Sequence, residues 1–207
     1  MRKSFKAALL AACLAGVSTP ASATMVDLTV DQMVDAASSI VRGTITEVWA
    51  EEDANGLIWT RAQLEVAITY KGDSSKRSFV IDQLGGKFGA NISSVADSVR
   101  FSPGEDGIFF LELLGSGKTT TVGFYQGKYT VRLDPYSREM IAQRYAPAPH
   151  KAYDHRFIPL PADDKRLFLI DLEDSIRDRV QAGWDGTPIP GTSIERLQRI
   201  NTKGLVK

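Results

Sequence analysis

The spacing of apolar residues predicts a short helix that leads into a long β-rich region. Thr29 and Gln32 fit a capping box, with Thr29 as the N-cap and Gln32 three residues later. Apolar residues then recur on one helical face as far as about Ala37. From Ile40 onward, apolar and polar residues alternate, which is typical of half-buried strands.

The alternating region predicts about seven strands, joined by turns rich in glycine, asparagine and proline. The clearest strand lies at 58–70, where the alternation predicts one buried and one solvated face. Residues 108–114 are almost continuously apolar, which predicts a central strand covered on both faces. The expected strands are 40–50, 58–70, 79–84, 108–114, 119–125, 129–133 and 139–144, with a long polar loop at 85–100.

A helical period returns near the end of the chain. It predicts a helix at about 162–182, capped near Asp163 and ended by Gly183. Its apolar stripe contains Leu169, Leu172, Ile176 and Val180. Glu173 and Arg177 are four residues apart and should form an ion pair on the solvent side of this helix.

These elements predict a mainly β fold, namely a small antiparallel OB-like barrel with a short N-terminal helix and a longer C-terminal helix. We expect the barrel domain to span residues 24–147. A proline-flanked crossing and the C-terminal helix, packed on the barrel, should occupy 148–185, and a flexible tail should follow at 186–207.

Residues 1–23 have the three parts of a secretion signal. A basic start is followed by a short apolar run at 7–17 and by the small-residue site Ala21-Ser22-Ala23. We therefore expect a mature chain that begins at Thr24, is periplasmic or secreted, and has no transmembrane anchor. Cys13 closes a lipobox-like stretch, but the apolar run before it is very short, so we do not expect a lipid anchor there.

Composition narrows the possible functions. Cys13 is the only cysteine, so a chain without its signal has no disulfide, thiolate nucleophile or cysteine metal site. The whole chain has 25 basic and 25 acidic residues, and loss of Arg2, Lys3 and Lys6 would leave 22 basic ones. No basic block is present, which argues against nucleic-acid binding.

No motif for catalysis or for a cofactor satisfies its own spacing rules. Gly117-Lys118 resembles a phosphate-binding loop, but Glu112 stands where that loop needs its first glycine, and strand-forming residues follow. A hairpin turn is the better interpretation. His150 and His155 could ligate zinc, but their five-residue spacing in a proline-flanked segment favours solvent-exposed histidines. We therefore predict no catalytic residue, metal or cofactor.

The glycine-containing segment after the third expected strand is the most suggestive binding element. Glycines allow a partner to approach the backbone closely, and the neighbouring lysine and phenylalanine offer a charge and an aromatic face. The alternative is an ordinary turn at the end of a strand. The candidate binding residues are Gly85, Gly86, Lys87, Phe88, Arg100, Lys128 and Tyr129.

Two segments resemble the opening of the netrin-like OB barrel of tissue inhibitors of metalloproteinases. They are residues 36–45, Ala-Ala-Ser-Ser-Ile-Val-Arg-Gly-Thr-Ile, and residues 64–72, Leu-Glu-Val-Ala-Ile-Thr-Tyr-Lys-Gly. The chain also resembles uncharacterised secreted bacterial proteins that add a Gly-Gly loop, a Phe-x-Pro-Gly-Glu turn and a Gln-Gly-Lys-aromatic hairpin, here at 85–86, 101–105 and 126–129. The resemblance implies the fold. It carries over no inhibitory residue, because the mature chain would lack the N-terminal cysteine and the disulfides of those inhibitors.

The expected function is an exported, non-enzymatic binding module, protein-binding or protease-inhibitor-like, whose partner is another envelope or secreted protein. Two alternatives stay open. One is a structural component of the cell envelope, and the other is a periplasmic hydrolase.

Overall fold

The computed structural model describes residues 26–95, 97–145, 166–187 and 189. The signal region, Cys13, His150 and His155, and most of the expected crossing and tail lie outside these ranges. Within them, no helix is long and apolar enough to cross a membrane. The elements are α1 Val30–Ala36, β1 Ser39–Glu52, β2 Ile58–Lys71, β3 Ser78–Leu84, β4 Gly86–Phe88, β5 Asn91–Ser93, β6 Asp106–Leu113, β7 Thr119–Thr121, a 3₁₀ turn Phe124–Gly127, β8 Lys128–Leu133, β9 Met140–Gln143, β10 Arg166–Phe168 and α2 Leu169–Ala182.

The fold is mainly β, as expected, with one short and one longer helix. Its main sheet follows the order β10-β9-β8-β6-β1-β2-β3, and β7 also pairs with β6. All of these strand pairings are antiparallel. The sheet curls into a half-barrel in which β3 and β7 approach each other without forming a ladder, so the barrel is open. The expected OB-like barrel is not confirmed.

Strand β6 lies at the centre of the fold and divides the core into two clusters. Ile108 and Phe110 face the helices, whereas Phe109 and Leu111 face the inside of the curl, and all four are fully buried. This confirms the expected central strand covered on both faces. The alternation is a direct consequence of the two-residue period of a strand.

The capping box is confirmed, because the Thr29 side chain accepts a hydrogen bond from the Gln32 backbone while the Gln32 side chain accepts one from the Thr29 backbone.

The buried face expected for β2 is present at Ile58 and Leu64, but Ile68 on the same expected face is exposed. Register shifts in the β1–β2 ladder turn the end of β2 away from the inside of the curl.

Two expected connections differ from the structure. Residues 85–100 are not a continuous loop, because β4 and β5 pair within them as a hairpin. The strand expected at 119–125 ends at Thr121. There the chain passes through Gly123, whose φ is 59°, and enters the 3₁₀ turn.

The C-terminal helix is shorter than expected. It begins at Leu169, because Arg166–Phe168 pair with β9 as a strand, and it ends at Gly183 as expected. Its Glu173–Arg177 ion pair is present at 3.1 Å. Glu173 is buried rather than solvated, however, because it also accepts a hydrogen bond from Tyr70 on β2.

Candidate binding site at the β4–β5 hairpin

The hairpin that follows β3 forms its own small sheet. Gly86 pairs with Ser93, Lys87 with Ile92, and Phe88 with Asn91. Gly89 opens the two-residue turn with a φ of 59°, a conformation that glycine adopts without steric cost. Within the described residues the hairpin joins no ladder of the main sheet.

The two glycines at the root of the hairpin are needed for packing inside the chain. Gly85 has a φ of 96° and Gly86 a φ of 141°, both unfavourable for other residues. A Cβ atom on Gly86 would lie 2.3 Å from the Thr60 hydroxyl oxygen. That hydroxyl donates a hydrogen bond to the Gly85 carbonyl at 2.7 Å. The glycines therefore attach the hairpin to β2. Thr60 already occupies the space beside their backbone, so that space is not open to a partner protein.

The exposed side chains of the hairpin lie beyond this root. Ile92 is 75% exposed and Phe88 is 44% exposed, although both are large and apolar. Residues directly opposite each other in a ladder share a face, so Ile92 lies with Lys87, and Phe88 lies with Asn91. The ribbon thus presents one apolar side chain on each of its faces.

A polar cleft of about 330 Å³ lies beside the hairpin root. Ser98 holds its wall together, because its hydroxyl donates to the Val95 carbonyl at 2.7 Å and accepts from the Gln83 amide at 3.3 Å. Arg100 lines the cleft and is exposed. The cleft brings Gly85, Gly86 and Arg100 together, as the sequence prediction grouped them.

Lys128 and Tyr129 do not share this surface. The Lys128 ammonium donates to the Arg100 carbonyl and forms a 2.7 Å ion pair with Glu105. Burial lowers the pKa of Lys128, and its hydrogen bond to Glu105 opposes that shift. Tyr129 is 1% exposed, belongs to the core cluster under the helices, and has a pKa raised by burial. We therefore leave Tyr129 out of the site and assign Lys128 to the support of Arg100.

The Gly115–Lys118 segment is a hairpin turn, as expected. The Leu114 backbone donates to Lys118 at 2.8 Å, and the strands β6 and β7 on either side pair directly. The Lys118 ammonium lies 4.3 Å from the centre of the Trp59 ring. In the described part of the chain, no group of three or more histidine, cysteine, aspartate or glutamate side chains could hold a metal ion.

Sequence reasoning missed Ile92 and Thr60. The signal for Ile92 was present, since Phe88 and Ile92 flank Gly89 at hairpin spacing, but each strand is only three residues long. Thr60 carried no signal, because its role depends on the contact between β2 and the hairpin root. No protein-family model matches the chain, and no curated protein is significantly similar to it.

Proposed function

We propose that this chain is an exported, non-enzymatic binding module that contacts another envelope or secreted protein through the β4–β5 hairpin. The observation that carries the proposal is the exposure of Ile92 and Phe88 on a ribbon that, among the residues the structure describes, joins no ladder of the main sheet. Large apolar side chains at such a position contribute nothing to the core. Exposed apolar groups on a rigid scaffold are typical of protein-binding surfaces.

The two-faced ribbon also indicates the shape of the partner. A flat partner surface would cover either Ile92 or Phe88 and leave the other in water. A cleft would cover both, because its two walls meet the two faces of the inserted hairpin. The proposed partner therefore offers a cleft, as a protease does, which supports the inhibitor-like form of the proposal.

Two further features support this assignment. Strands β1, β2, β3 and β6 supply the inner core cluster, and β7 pairs with β6, so these strands together equal in number the five strands of a partly open OB barrel. We propose on this basis, and on the sequence resemblance, that the half-barrel is a netrin-like OB variant. The basic, apolar and small-residue succession at 1–23 supports export to the periplasm or beyond.

Site-specific photo-crosslinking in the exporting cell tests the proposed surface. A photoreactive phenylalanine analogue would replace Ile92 in one strain and Leu113, an exposed apolar residue on β6, in another. We expect one discrete adduct with a second protein from position 92 and none from position 113. Equal adducts from both positions, or none from either, would contradict the hairpin assignment. An adduct between two copies of this chain would favour the structural-component alternative.

The identified partner then permits a quantitative test. The double variant Phe88→Ser, Ile92→Ser should bind it about 30-fold more weakly, the loss typical of hot-spot truncation at about 2 kcal/mol. Leu113→Ser is the matched control and should bind as the unaltered chain does. Because all three residues are exposed, unfolding curves of the variants should overlay.

A further inference from the structure

Arg100 lies beside the hairpin root with its backbone held and its side chain free. The Lys128 ammonium, which forms a largely buried ion pair with Glu105, donates a hydrogen bond to the Arg100 carbonyl. The Arg100 guanidinium is exposed at the polar cleft, and within the described residues it makes no hydrogen bond or ion pair. An arginine that is fixed at its backbone and unpaired at its head group is ready to bind a charged group from outside the chain.

The other polar side chains of the cleft are compatible with an anionic group. Ser93 and Ser94 line the cleft, and in the part of the chain that the structure describes their hydroxyls have no hydrogen-bond partner. Asp97 also lines the cleft, but it is half-buried and acts on Tyr125, whose pKa is raised to about 12 by burial first and further by carboxylates that include Asp97. A carboxylate that approaches from solvent therefore meets the Arg100 guanidinium and free hydroxyl donors before it meets Asp97.

A second cation lies on the ribbon itself. Lys87 is exposed and lies directly opposite Ile92, so the two share one face, and among the described residues its ammonium is unpaired. Residues 85–100 thus carry two cationic side chains and one carboxylate, whereas the chain from residue 24 onward has 22 basic and 25 acidic residues. The binding surface is cationic on a chain that is mildly acidic as a whole. Such a difference selects partners by their charge.

We propose that the partner cleft that receives the hairpin carries carboxylates at its lip, one of which pairs with Arg100 while another faces Lys87. This inference rests on the proposed hairpin function and names the chemistry of its partner. Arg100 should form the stronger contact, because a guanidinium binds a carboxylate through two parallel hydrogen bonds and an ammonium does not. Both pairs should weaken as the salt concentration rises.

Charge variants in the photo-crosslinking strain measure the contribution of Arg100. The photoreactive analogue stays at position 92, and the yield of its adduct is compared among Arg100→Glu, Arg100→Lys and the matched control Arg138→Glu. Arg138 is exposed on the β8–β9 turn, and its side chain is also unpaired within the described chain. We expect Arg100→Glu to lower the adduct yield about tenfold, Arg100→Lys to retain most of it and the control to retain all of it. Equal yields from Arg100→Glu and the unaltered chain would overturn the proposal.

A carbodiimide identifies the group that Arg100 meets. This reagent activates a carboxylate, a neighbouring lysine amine attacks the activated carbon, a urea leaves, and an amide joins the two residues. The double variant Arg100→Lys, Lys87→Arg places a reactive amine at position 100 and removes the one at position 87. In the periplasmic and culture-medium fractions of the exporting cell, we expect an amide between position 100 and an aspartate or glutamate of the protein that position 92 crosslinks. Mass spectrometry of the linked peptides locates both residues.

The possible outcomes separate this inference from the function on which it rests. A position-92 adduct without an amide at position 100 would overturn the inference and leave the hairpin function standing. An internal amide to Asp97 would also overturn the inference, because position 100 would then have its partner in its own chain. The absence of both products would contradict both proposals. Circular dichroism confirms that each variant is folded.

Discussion

The two faces of the central sheet are built on different principles. Towards the helices, Ile108 and Phe110 belong to a core that also contains tyrosines and lies beside a partly buried ion-pair network. Towards the inside of the curl, Phe109 and Leu111 belong to a core made only of aliphatic residues and phenylalanine. The same strand therefore supports a polar attachment on one side and a purely apolar one on the other.

The helix-covered face depends on defined polar contacts. Glu173 of α2 accepts a hydrogen bond from the Tyr70 hydroxyl at 2.6 Å and lies 3.7 Å from Arg42 on β1. Arg179 pairs with Asp35 and thereby joins α2 to α1. Such contacts have one correct geometry, so they set the position of the helix on the sheet.

The inner face has charged groups at its rim, including the place where β3 approaches β7. There the Thr119 backbone donates a hydrogen bond to the Asp82 carboxylate at 3.1 Å, and Arg61 lies beside the same carboxylate. Apolar packing accepts many arrangements of similar volume, whereas a buried carboxylate does not. The comparison indicates that charge sets the position of the helix, whereas the curl is held by apolar area together with the Asp82 contact at its rim.

The largest expected loss of stability comes from truncating a core phenylalanine of β6. This change also tests whether the two faces unfold together. Phe109→Ala should lower the free energy of unfolding by about 3–5 kcal/mol, because it leaves a cavity in the inner core. Phe110→Ala should cost about the same on the opposite face. Urea unfolding followed by tryptophan fluorescence and by helical circular dichroism should give coincident transitions in both variants, since β6 is shared. Separate transitions would show that the two faces are independent.

A smaller effect is expected from the polar attachment of α2. Glu173→Ala removes the hydrogen-bond acceptor of Tyr70 and one of the two carboxylates beside Arg42, which keeps its hydrogen bond to Asp106, and it should cost about 1–3 kcal/mol. Glu173→Gln should cost less, because the amide oxygen can still accept from Tyr70. The control is Asp174→Ala, whose side chain is 60% exposed and should change stability by about 0.5 kcal/mol or less. Equal costs for Glu173→Ala and Asp174→Ala in urea unfolding would contradict the network's role.

The smallest expected effect is a loss of stability at alkaline pH, and its source should be Tyr70 on the helix-covered face. Burial, and then the hydrogen bond to Glu173, raise the pKa of Tyr70 above its ordinary value. This contribution to stability is complete below a pH of about 10 and is lost as the pH rises further, because the unfolded tyrosine ionises first. At pH 11 the loss should be at most about 1 kcal/mol after solvent screening.

Tyr70→Phe provides the matched measurement for that effect. The variant should show a shallower fall of melting temperature between pH 9 and pH 11 than the unaltered chain, while both fall in part through Tyr125, whose pKa burial raises to about 12. The inner face contains no tyrosine among its clustered residues and should add nothing to the fall. Identical slopes for Tyr70→Phe and the unaltered chain would contradict this assignment.

Local signals in the sequence were reliable where the cause was local. The Thr29 capping box, the continuous apolar run of β6 and the end of α2 at Gly183 all appear in the structure as expected. Each depends on residues within one turn or one strand, so periodicity and capping chemistry are sufficient to predict them.

The candidate site was only partly predictable. The glycines at 85 and 86 were recognised as special, but their partner is Thr60 on another strand, 25 residues from Gly85 in sequence. Tyr129 was ambiguous in the sequence, because such an aromatic residue can belong to the core or to a binding face, and the core is the commoner place. Its burial follows from the helices that cover its side of the sheet, which no local pattern reports.

The sequence by itself determined the class of the fold, the approximate positions of its longer strands and the identity of its central strand, because these follow from hydrophobic period and turn chemistry. Only the tertiary structure decided that β3 and β7 leave the barrel open, that Glu173 is buried, and that Ile92 is exposed. These features depend on contacts between residues far apart in the chain. Burial and the geometry of the partner groups decide whether such a feature is stable, and the neighbouring residues in the sequence do not.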